Sequence, residues 1–355
     1  MRITFVLPKY FSKPIGGYKV VYEYANHLSR RGHDLTVIYS ECLPNWNPRE
    51  TFYDKLRQRA SYLKDFIVNS KKMSENLDNN IKTLITREVS VNTVPDSDII
   101  VATFWPLAEI IKDFSVSKGK KFYLIQDFEN YFGPKDRLEN TWKLPFKKIT
   151  ISKWLYEKVL QAAGKENLIH IPIGVDFTNF RRTVDIQRRP QRVLAMYSTV
   201  EYKKIEDCIE AFRICKKKKW DVVFALFGHK FMPKVPRWIE YHYRISDSGL
   251  SELYNRSQIF CCSSLAEGFA MPPAEAMACG CAVATTDCGG NRDYAEDGVT
   301  ALLSPTGNPK ALSQNIIKLL DDDGLRVKLA EAAYEKIQNF TWNKSTDLLE
   351  GAMRS

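Results

Sequence analysis

The sequence predicts an α/β protein made of two doubly wound, Rossmann-like domains that face each other across a cleft. Apolar strand patterns alternate with amphipathic helix patterns along both halves of the chain. The strands are almost wholly apolar, as a parallel sheet covered by helices on both faces requires. At 355 residues the chain is long enough for two such domains. A ligand is expected in the cleft, where the carboxyl ends of the strands meet.

The first predicted unit of this architecture is a strand, helix and strand. Residues 3–7 and 34–39 form the strands, and the apolar positions Val20, Tyr24 and Leu28 mark one face of the helix between them. Gly16 and Gly17 lie between the first strand and this helix. Glycine lets the backbone approach a ligand closely, so this pair is a candidate phosphate loop, although many Gly-Gly pairs are simply turns.

Residues 46–94 interrupt the alternation with a long, charged segment that we expect to be helical. Lysine and arginine side chains interleave there with aromatic and aliphatic ones. The favoured interpretation is a solvated helical pair on the edge of the domain. The alternative is a patch that docks on an anionic membrane surface.

Two further strands, residues 98–102 and 121–125, bring polar and aromatic residues to the predicted cleft. Trp105, Asp127 and Glu129 follow the carboxyl ends of these strands, so they are candidates for contact with an acceptor or a sugar. For the two acidic residues, hydrogen bonding within the loop or capping of a helix is an equally good interpretation.

The second half of the chain repeats the alternation and predicts the domain boundaries. The first domain is expected over residues 1–175, a polar, arginine-rich linker over 176–191 and the second domain over 192–335, with a tail over 336–355 that crosses back to the first domain. The predicted strands of the second domain are residues 193–196, 222–227, 259–262 and 282–285. Its predicted helices are residues 205–215, 250–256, 273–279, 309–320 and 325–340.

The stretch from residue 263 to 293 carries the most informative motif. Glu267 follows a strand, and Pro272 and Pro273 have the fixed φ angle and the missing N–H typical of a first helical turn. Glu275 then lies one turn into the helix, facing the same place as Glu267. The backbone amides near the start of this helix form an anion site. Because carboxylates bind sugar hydroxyls and amides bind phosphate, the motif suits a nucleotide diphosphate sugar.

The composition limits which kinds of protein and which kinds of binding site are expected. The eight cysteines form no Cys-x-x-Cys pair, so we expect reduced thiols and no metal. No apolar run approaches the ~20 residues of a membrane span, and the N-terminus reads as a strand and not as a signal peptide. A cytoplasmic protein is therefore expected. The net charge of +10 favours an anionic partner without identifying it.

Taken together, these motifs resemble a retaining glycosyltransferase of the GT-B architecture, in the fourth family (glycosyl transferases group 1). The resemblance rests on residues 267–275, EGFAMPPAE, with the following residues 276–283 and the Cys-Gly-Gly of residues 288–290. Residues 152–155 and 171–176 are similar to the segment between the domains of the family, with Ile173 in place of its usual Asn. Residues 123–129 resemble a segment of bacterial enzymes that build rhamnose-containing and related cell-surface polysaccharides.

The resemblance implies a role for each matched residue. Glu275 would hold the ribose hydroxyls, Glu267 would contact the transferred sugar and Lys203 would face the diphosphate. Ser198 stands where the family has an Arg, so Lys204 or another cation would have to compensate. The family's His near Thr103 is also absent. The remaining donor-binding candidates are Gly16, Gly17, Gly268, Phe269, Ala270 and Met271.

The implied substrates are a nucleotide sugar, such as a UDP-, dTDP- or GDP-sugar, and a glycan or lipid-linked glycan acceptor. No cofactor or metal is required, since the helix amides, the Gly16 and Gly17 amides and Lys203 would stabilise the departing phosphate. Such a protein would work in cell-surface polysaccharide assembly, in the cytoplasm or against the inner face of the membrane.

Several other functions stay open at this level. Glu267 could act as a covalent nucleophile, although the helix geometry places it beside the phosphates. A sugar-nucleotide epimerase, a phosphorylase or a catalytically impaired partner subunit would fit the same architecture. A basic nucleic-acid-binding protein is least supported, because the two glutamates would repel a phosphate chain.

Overall fold

The computed structural model describes residues 1–10, 16–42, 76–129, 133–231 and 234–355. The chain divides into two compact units, Met1–Ile173 with Trp342–Ser355, and Gly174–Thr341. Each unit contains one parallel sheet with helices interleaved along the chain, which confirms the predicted α/β fold. Most of the predicted basic insertion, residues 46–75, lies outside the described residues, and so does its predicted membrane patch.

The first unit is built on a seven-stranded sheet in the order β3-β2-β1-β4-β5-β6-β7. All of its neighbouring strands run parallel. The central strand β4 is buried along its whole length, in agreement with its unbroken apolar sequence. The strands are β1 (Arg2–Leu7), β2 (Asp34–Ser40), β3 (Lys82–Thr86), β4 (Ile99–Ala102), β5 (Lys120–Ile125), β6 (Lys147–Thr150) and β7 (Leu168–His170).

Strand β3 corrects the prediction of a helical insertion over residues 46–94. It pairs with β2 at the edge of the sheet, with Leu84 beside Ile38. Its charged and half-exposed residues hid the strand pattern, because an edge strand buries only part of its surface. The helical prediction is therefore wrong for residues 82–86.

Five described helices accompany this sheet. In α1, the apolar face marked by Val20, Tyr24 and Leu28 is buried. The C-terminal helix α10 packs on α1, where the ring of Trp342 lies 5.3 Å from that of Tyr24. The helices are α1 (Gly16–Arg30), α2 (Trp105–Ile111), α3 (Lys135–Trp142), α4 (Lys153–Ala163) and α10 (Trp342–Arg354).

The second unit is built on a six-stranded parallel sheet in the order β10-β9-β8-β11-β12-β13. Strands β10 and β13 were not predicted: both lie at the edges of the sheet, where β10 is only partly buried, and β13 has only three residues. The strands are β8 (Arg192–Met196), β9 (Val223–Gly228), β10 (Ile239–Tyr243), β11 (Ile259–Cys262), β12 (Ala282–Thr286) and β13 (Leu302–Ser304). The helices are α5 (Ile205–Lys218), α6 (Asp247–Asn255), α7 (Met271–Ala278), α8 (Pro309–Asp321) and α9 (Asp323–Ile337).

Residues 174–191 belong to the second unit rather than forming a free connection. Arg189 is buried and donates hydrogen bonds to the carbonyls of Ser257 at 3.1 Å and Cys279 at 2.5 Å. A guanidinium group can satisfy several carbonyls at once, so this segment is fastened to the ends of α6 and α7. Residues 336–341 also stay with the second unit, and the chain enters the first unit at Trp342.

The sheet order of the second unit places a topological switch point between β8 and β11. The chain leaves β8 towards β9 on one side, and it leaves β11 towards β12 on the other. Connections that diverge in this way leave a crevice at the carboxyl ends of the two central strands. The loops that follow Met196 and Cys262 therefore form the walls of the expected ligand site.

Candidate functional site

A pocket lies at this switch point, within the second unit. The carboxyl ends of β8 and β11 form its floor, and the loops after them form its walls. The first turn of α7 contributes the two prolines of the motif. The lining residues are Ala195, Met196, Lys203, Cys208, Phe260, Cys261, Cys262, Ser263, Ser264, Glu267, Pro272 and Pro273.

An ion pair between Lys203 and Glu267 occupies this pocket. The Lys203 ammonium donates to both carboxylate oxygens, at 2.6 and 2.7 Å, and the Ser264 hydroxyl donates to Oε1 at 2.6 Å. Burial alone would lower the pKa of Lys203. The Glu267 carboxylate outweighs it, with help from Tyr202 and Cys262, and raises this pKa above its usual value. The pocket therefore presents a permanently protonated cation beside an oriented carboxylate.

Hydrogen bonds between the two loops hold this pair in place. The Ser263 hydroxyl donates to the carbonyls of Lys203 at 3.0 Å and Lys204 at 2.8 Å. The Leu265 amide donates to the Tyr202 carbonyl at 2.7 Å. Because both loops begin at neighbouring strands, these bonds fix the position of the ammonium relative to the carboxylate before any ligand binds.

The backbone of Glu267 is clamped by the loop that follows β12. The Glu267 amide donates to the carbonyl of Cys288 at 3.0 Å. A Cβ atom at Gly290 would lie 2.4 Å from the Glu267 carbonyl oxygen and 2.7 Å from Gly268. Such contacts do not occur between real atoms, so only glycine permits this close approach. This explains physically why the motif continues into the Cys-Gly-Gly at residues 288–290.

The start of α7 has an unusual backbone conformation. Ala270, the N-cap residue, is left-handed with φ of 63° and ψ of 68°, a conformation that costs a residue with a Cβ about 1 kcal/mol or more. The Tyr294 hydroxyl donates to its carbonyl at 2.6 Å. Since Pro272 and Pro273 have no N–H, the donors at this helix end are limited to amides such as those of Gly268, Phe269, Ala270 and Met271.

Glu275, the second acid of the motif, has a different environment from Glu267. It is buried in the middle of α7, and its Oε2 accepts a hydrogen bond from the Tyr254 hydroxyl at 3.2 Å. Tyr254 belongs to α6 and is fully buried. Glu275 is not among the residues that line the Lys203 pocket. The two acids of the motif are thus separated into a charged pocket and a buried hydrogen-bonded pair.

The other candidate donor-binding residues after β8 are Ser198 and Lys204. The Ser198 hydroxyl accepts a hydrogen bond from the Val200 amide at 3.2 Å, which shapes the loop. Lys204 is left-handed with φ of 46° and precedes α5 as its N-cap residue. The cation expected at position 198 is therefore replaced by a loop-forming hydroxyl. Lys204 follows Lys203 directly in the chain but is not among the residues that line the pocket.

Gly16 and Gly17 begin α1 in the first unit. A Cβ atom at Gly17 would lie 3.6 Å from the side-chain amide of Gln126, which is an ordinary contact distance. Packing among the described residues therefore does not demand glycine at this position. The pocket described above is formed by the second unit, so it does not include these two glycines.

Trp105, Glu129 and Asp127 serve the interior and loops of the first unit. Trp105 is fully buried, with the Arg137 guanidinium 5.0 Å from its ring centre, and its amide donates to Glu129 at 3.2 Å. Burial, opposed by this amide and reinforced by Asp127, raises the pKa of Glu129 well above its usual value. The Asp127 carboxylate accepts from the Phe128 amide at 2.8 Å. Asp127 is half-exposed, whereas Trp105 and Glu129 are buried.

The described residues contain no group of three or more His, Cys, Asp or Glu side chains placed to hold a metal ion. All eight cysteines are free thiols, and most are buried. None of the helices in the described ranges has the length and apolar character needed to cross a membrane.

Three contacts of the site escaped the sequence reasoning, although Gly290 itself belongs to the recognised motif. Ser264 orients Glu267, Tyr254 contacts Glu275 and Gly290 admits the Glu267 backbone. Ser264 lies only three residues before Glu267, so its spacing was a usable signal. Tyr254 is 21 residues from Glu275, and no local pattern links the two.

The second unit is similar to known proteins. Residues 176–336 match the family model described as glycosyl transferases group 1. A Campylobacter jejuni protein, N,N'-diacetylbacillosaminyl-diphospho-undecaprenol alpha-1,3-N-acetylgalactosaminyltransferase, is 30% identical over 190 residues, covering 51% of this chain and 50% of its own length. A Myxococcus xanthus O-antigen biosynthesis protein is 26% identical over 280 residues, covering 74% and 21%. The chain thus spans half or less of these relatives.

Solved structures extend the likeness to both units. Alr3699/HepE of Anabaena, solved in complex with UDP-glucose, matches with a TM-score of 0.76 and 16% identity, over 100% of this chain and 99% of that one. Sucrose-phosphate synthase of Thermosynechococcus elongatus matches with a TM-score of 0.73 and 16% identity, over 99% and 98%. At this identity the likeness establishes the fold, which is GT-B.

Proposed function

Since the second unit of this chain belongs to the glycosyl transferases group 1 family, we propose that the protein is a retaining glycosyltransferase. It moves a hexosyl or deoxyhexosyl group from a nucleoside-diphosphate sugar to a glycan or lipid-linked glycan. The observation that carries this proposal is the Lys203–Glu267 pair in the pocket at the β8–β11 switch point. This pair supports the donor half of the proposal, and the acceptor is assigned separately.

The Lys203 ammonium is suited to the leaving group. Breaking the bond between the anomeric carbon and the phosphate oxygen places negative charge on the departing diphosphate, and a preorganised cation stabilises that charge. Lys203 stays protonated because Glu267 raises its pKa. The diphosphate would share this ammonium with Glu267, or displace part of the ion pair on binding.

The Glu267 carboxylate is suited to a sugar hydroxyl and poorly suited to nucleophilic attack. Both of its oxygens already accept hydrogen bonds from Lys203, and Oε1 also accepts from Ser264. Such bonds stabilise the negative charge and so reduce its reactivity. We therefore favour same-face transfer through an oxocarbenium-like transition state, in which an oxygen of the leaving phosphate takes the proton of the acceptor hydroxyl.

The acceptor is assigned by analogy with the relatives. The Campylobacter protein is named for an undecaprenyl-diphosphate-linked acceptor, and the Myxococcus protein for O-antigen biosynthesis. For this chain we propose the corresponding acceptor, a lipid-linked glycan in surface polysaccharide assembly. The protein would then act at the inner face of the membrane. Neither the sugar nor the nucleotide base follows from these names.

The test is a transfer assay with a panel of UDP-, GDP- and dTDP-sugars and a lipid-diphosphate-linked glycan acceptor. Release of nucleoside diphosphate that depends on acceptor, with product of the donor's anomeric configuration by NMR, is expected. Inverted product would overturn the retaining mechanism. Conversion of donor without acceptor would indicate an epimerase, and dependence on free phosphate would indicate a phosphorylase. Absence of binding by every donor in a thermal-shift screen would contradict donor use, because a ligand at ~100 times its Kd adds about 2.7 kcal/mol of stability.

A further inference from the structure

We propose that Tyr254 is a positioning residue for the nucleotide. Its hydroxyl holds the Glu275 carboxylate in the orientation that accepts hydrogen bonds from the ribose hydroxyls, so the pair sets the preference for a ribonucleotide. This inference rests on the proposed function and on the ribose-binding role that the family resemblance implies for Glu275. It adds to that site a residue that lies outside the motif of residues 267–275.

The first observation is the contact itself. The Tyr254 hydroxyl donates to Oε2 of Glu275 at 3.2 Å, and both side chains are buried. A buried carboxylate needs hydrogen-bond donors to remain charged. The bond also restricts rotation about the last torsion of the glutamate, which is otherwise broad. The orientation of Glu275 is therefore fixed before a ligand arrives.

The second observation is that the tyrosine is tightly packed. Its ring is enclosed by Phe180, Phe227 and Phe260, with ring centres at 5.9, 5.9 and 5.5 Å. Its carbonyl accepts hydrogen bonds from Arg189 at 3.4 Å and from the Cys281 thiol at 3.1 Å. Edge-to-face aromatic packing on three sides leaves one position for the hydroxyl. The 174–191 segment supplies Phe180 and Arg189, so it supports this site.

The third observation concerns the direction of the hydrogen bond. Burial, followed by the nearby Glu275 charge, raises the pKa of Tyr254 well above its usual value. The hydroxyl therefore keeps its proton under all ordinary conditions and acts as the donor. Glu275 is left as an acceptor, which is the role that two ribose hydroxyls require.

The test compares ribonucleotides with their 2′-deoxy analogues. Titration calorimetry would measure the Kd of UDP, 2′-deoxy-UDP, GDP and 2′-deoxy-GDP for the wild type and for Tyr254→Phe. The wild type should bind each ribonucleotide about 10-fold more tightly than its 2′-deoxy analogue. In Tyr254→Phe we expect the ribonucleotide to bind about 5- to 10-fold more weakly, whereas the deoxy form changes less than 2-fold, because only the former uses the oriented carboxylate.

Matched controls separate positioning from folding. Tyr39→Phe removes another buried tyrosine hydroxyl, which donates to Tyr22 at 2.8 Å in the first unit, and should leave both affinities unchanged. Glu275→Ala should abolish the preference for ribose. If Tyr254→Phe does not fold, Phe180→Leu, which loosens the aromatic enclosure outside the pocket lining but keeps the hydroxyl, should lower the preference about 2- to 3-fold.

The outcomes distinguish the two proposals. Equal weakening of the ribo and deoxy forms, or an unchanged preference in Tyr254→Phe, would overturn the positioning role while leaving the proposed function intact. Failure of the wild type to bind any of the four nucleotides or dTDP would count against the proposed function itself, whereas binding of dTDP alone would overturn the ribose preference.

Discussion

The carboxyl ends of the two sheets differ in how they use the polar residues that follow their strands. In the second unit, Lys203 and Glu267 meet in a pocket lined by the strand ends of β8 and β11. In the first unit, Trp105 and Glu129 follow equivalent strand ends but bond to each other in the interior. The same position in the fold thus carries a charged pocket in one unit and buried structural contacts in the other.

This difference shows that a polar residue just after a strand end is not necessarily part of a ligand site. The loop at Glu267 is determined by many independent contacts, including the Ser264 hydroxyl and the close approach of Gly290. Such a local arrangement is costly, with Ala270 held left-handed, and strain of this kind concentrates at functional sites. Around Trp105 the contacts are those of an ordinary core. Substitutions at the carboxyl ends of the two sheets would test whether they differ in this way.

The largest effect is expected at the ion pair. Lys203→Met should lower transfer about 100- to 1,000-fold, because it removes the cation beside the leaving group. It should also destabilise the protein by about 3 kcal/mol, because the buried Glu267 carboxylate loses its partner. Transfer kinetics and denaturant unfolding measure the two effects.

Adding Glu267→Gln to Lys203→Met separates stability from function. The double variant has no uncompensated carboxylate, so most of the lost stability should return while transfer stays low. Lys219→Met, which removes an exposed ion pair to Asp321, is the control and should change neither quantity appreciably. Near-normal turnover in either Lys203 variant would remove the pocket from the mechanism.

The second effect is expected at Gly290. In Gly290→Ala the new methyl group would collide with the Glu267 carbonyl, so the backbone of residues 267 and 268 must shift. A displacement of ~1 Å in a catalytic group lowers activity about 100-fold, and the overpacking costs about 1–3 kcal/mol. Transfer kinetics together with thermal unfolding would show both changes.

Gly298→Ala provides the comparison for this variant. Gly298 has φ of 71° but nothing within 4 Å of an added Cβ. Its replacement should cost only about 1 kcal/mol of backbone strain and leave transfer intact. Equal kinetic effects at the two glycines would mean that the clamp on Glu267 has no special role.

A smaller effect is expected at Trp105, which follows a strand end in the first unit. Trp105→Phe should lower the free energy of unfolding by about 2 kcal/mol, because a fully buried ring loses volume and its contact with Arg137. The KM for acceptor should change less than 2-fold. Trp220→Phe, at a position that is 80% exposed, should change neither. A large rise in acceptor KM at unchanged stability would show that Trp105 contacts acceptor, as the sequence suggested.

The smallest effect concerns the C-terminal helix on the first unit. Hydrogen bonds from Arg354, Arg31 and His33 lower the pKa of Glu350 from its usual 4.5 to about 2. A carboxyl with a depressed pKa adds stability that is present above pH 4.5 and is lost as pH falls towards 2. Glu350→Gln should therefore show a shallower loss of stability across this range. Parallel pH curves for the two proteins would exclude this contribution.

The sequence predicted the repetitive parts of the molecule well. The buried strands β4 and β11 have unbroken apolar sequences, β1 and β8 are largely apolar, and the helix face of α1 has clear periodicity, so their burial could be anticipated. Edge strands such as β3 and β10 were missed because half-exposed residues mask a strand pattern.

From the residue pattern alone, the candidate site was predictable only where its parts are close in sequence, whereas Lys203 was assigned to it through the family resemblance. The spacing of Glu267, the two prolines and Glu275 in one motif gave the loop and the helix start. The partnership of Lys203 with Glu267 spans 64 residues, and that of Tyr254 with Glu275 spans 21. Such contacts depend on strand order, which brings β8 beside β11, and no local pattern records that order.

The most direct test of the donor pocket is the binding of nucleoside diphosphates to the wild type and to Lys203→Met. Calorimetric titration of UDP and GDP, with uridine and guanosine as controls lacking phosphate, would report the contribution of the ammonium to the diphosphate. We predict saturable binding to the wild type, at least 10-fold weaker binding of the diphosphate to Lys203→Met, and no such difference for the nucleosides. Equal diphosphate affinity for the two proteins would contradict the assignment of this pocket.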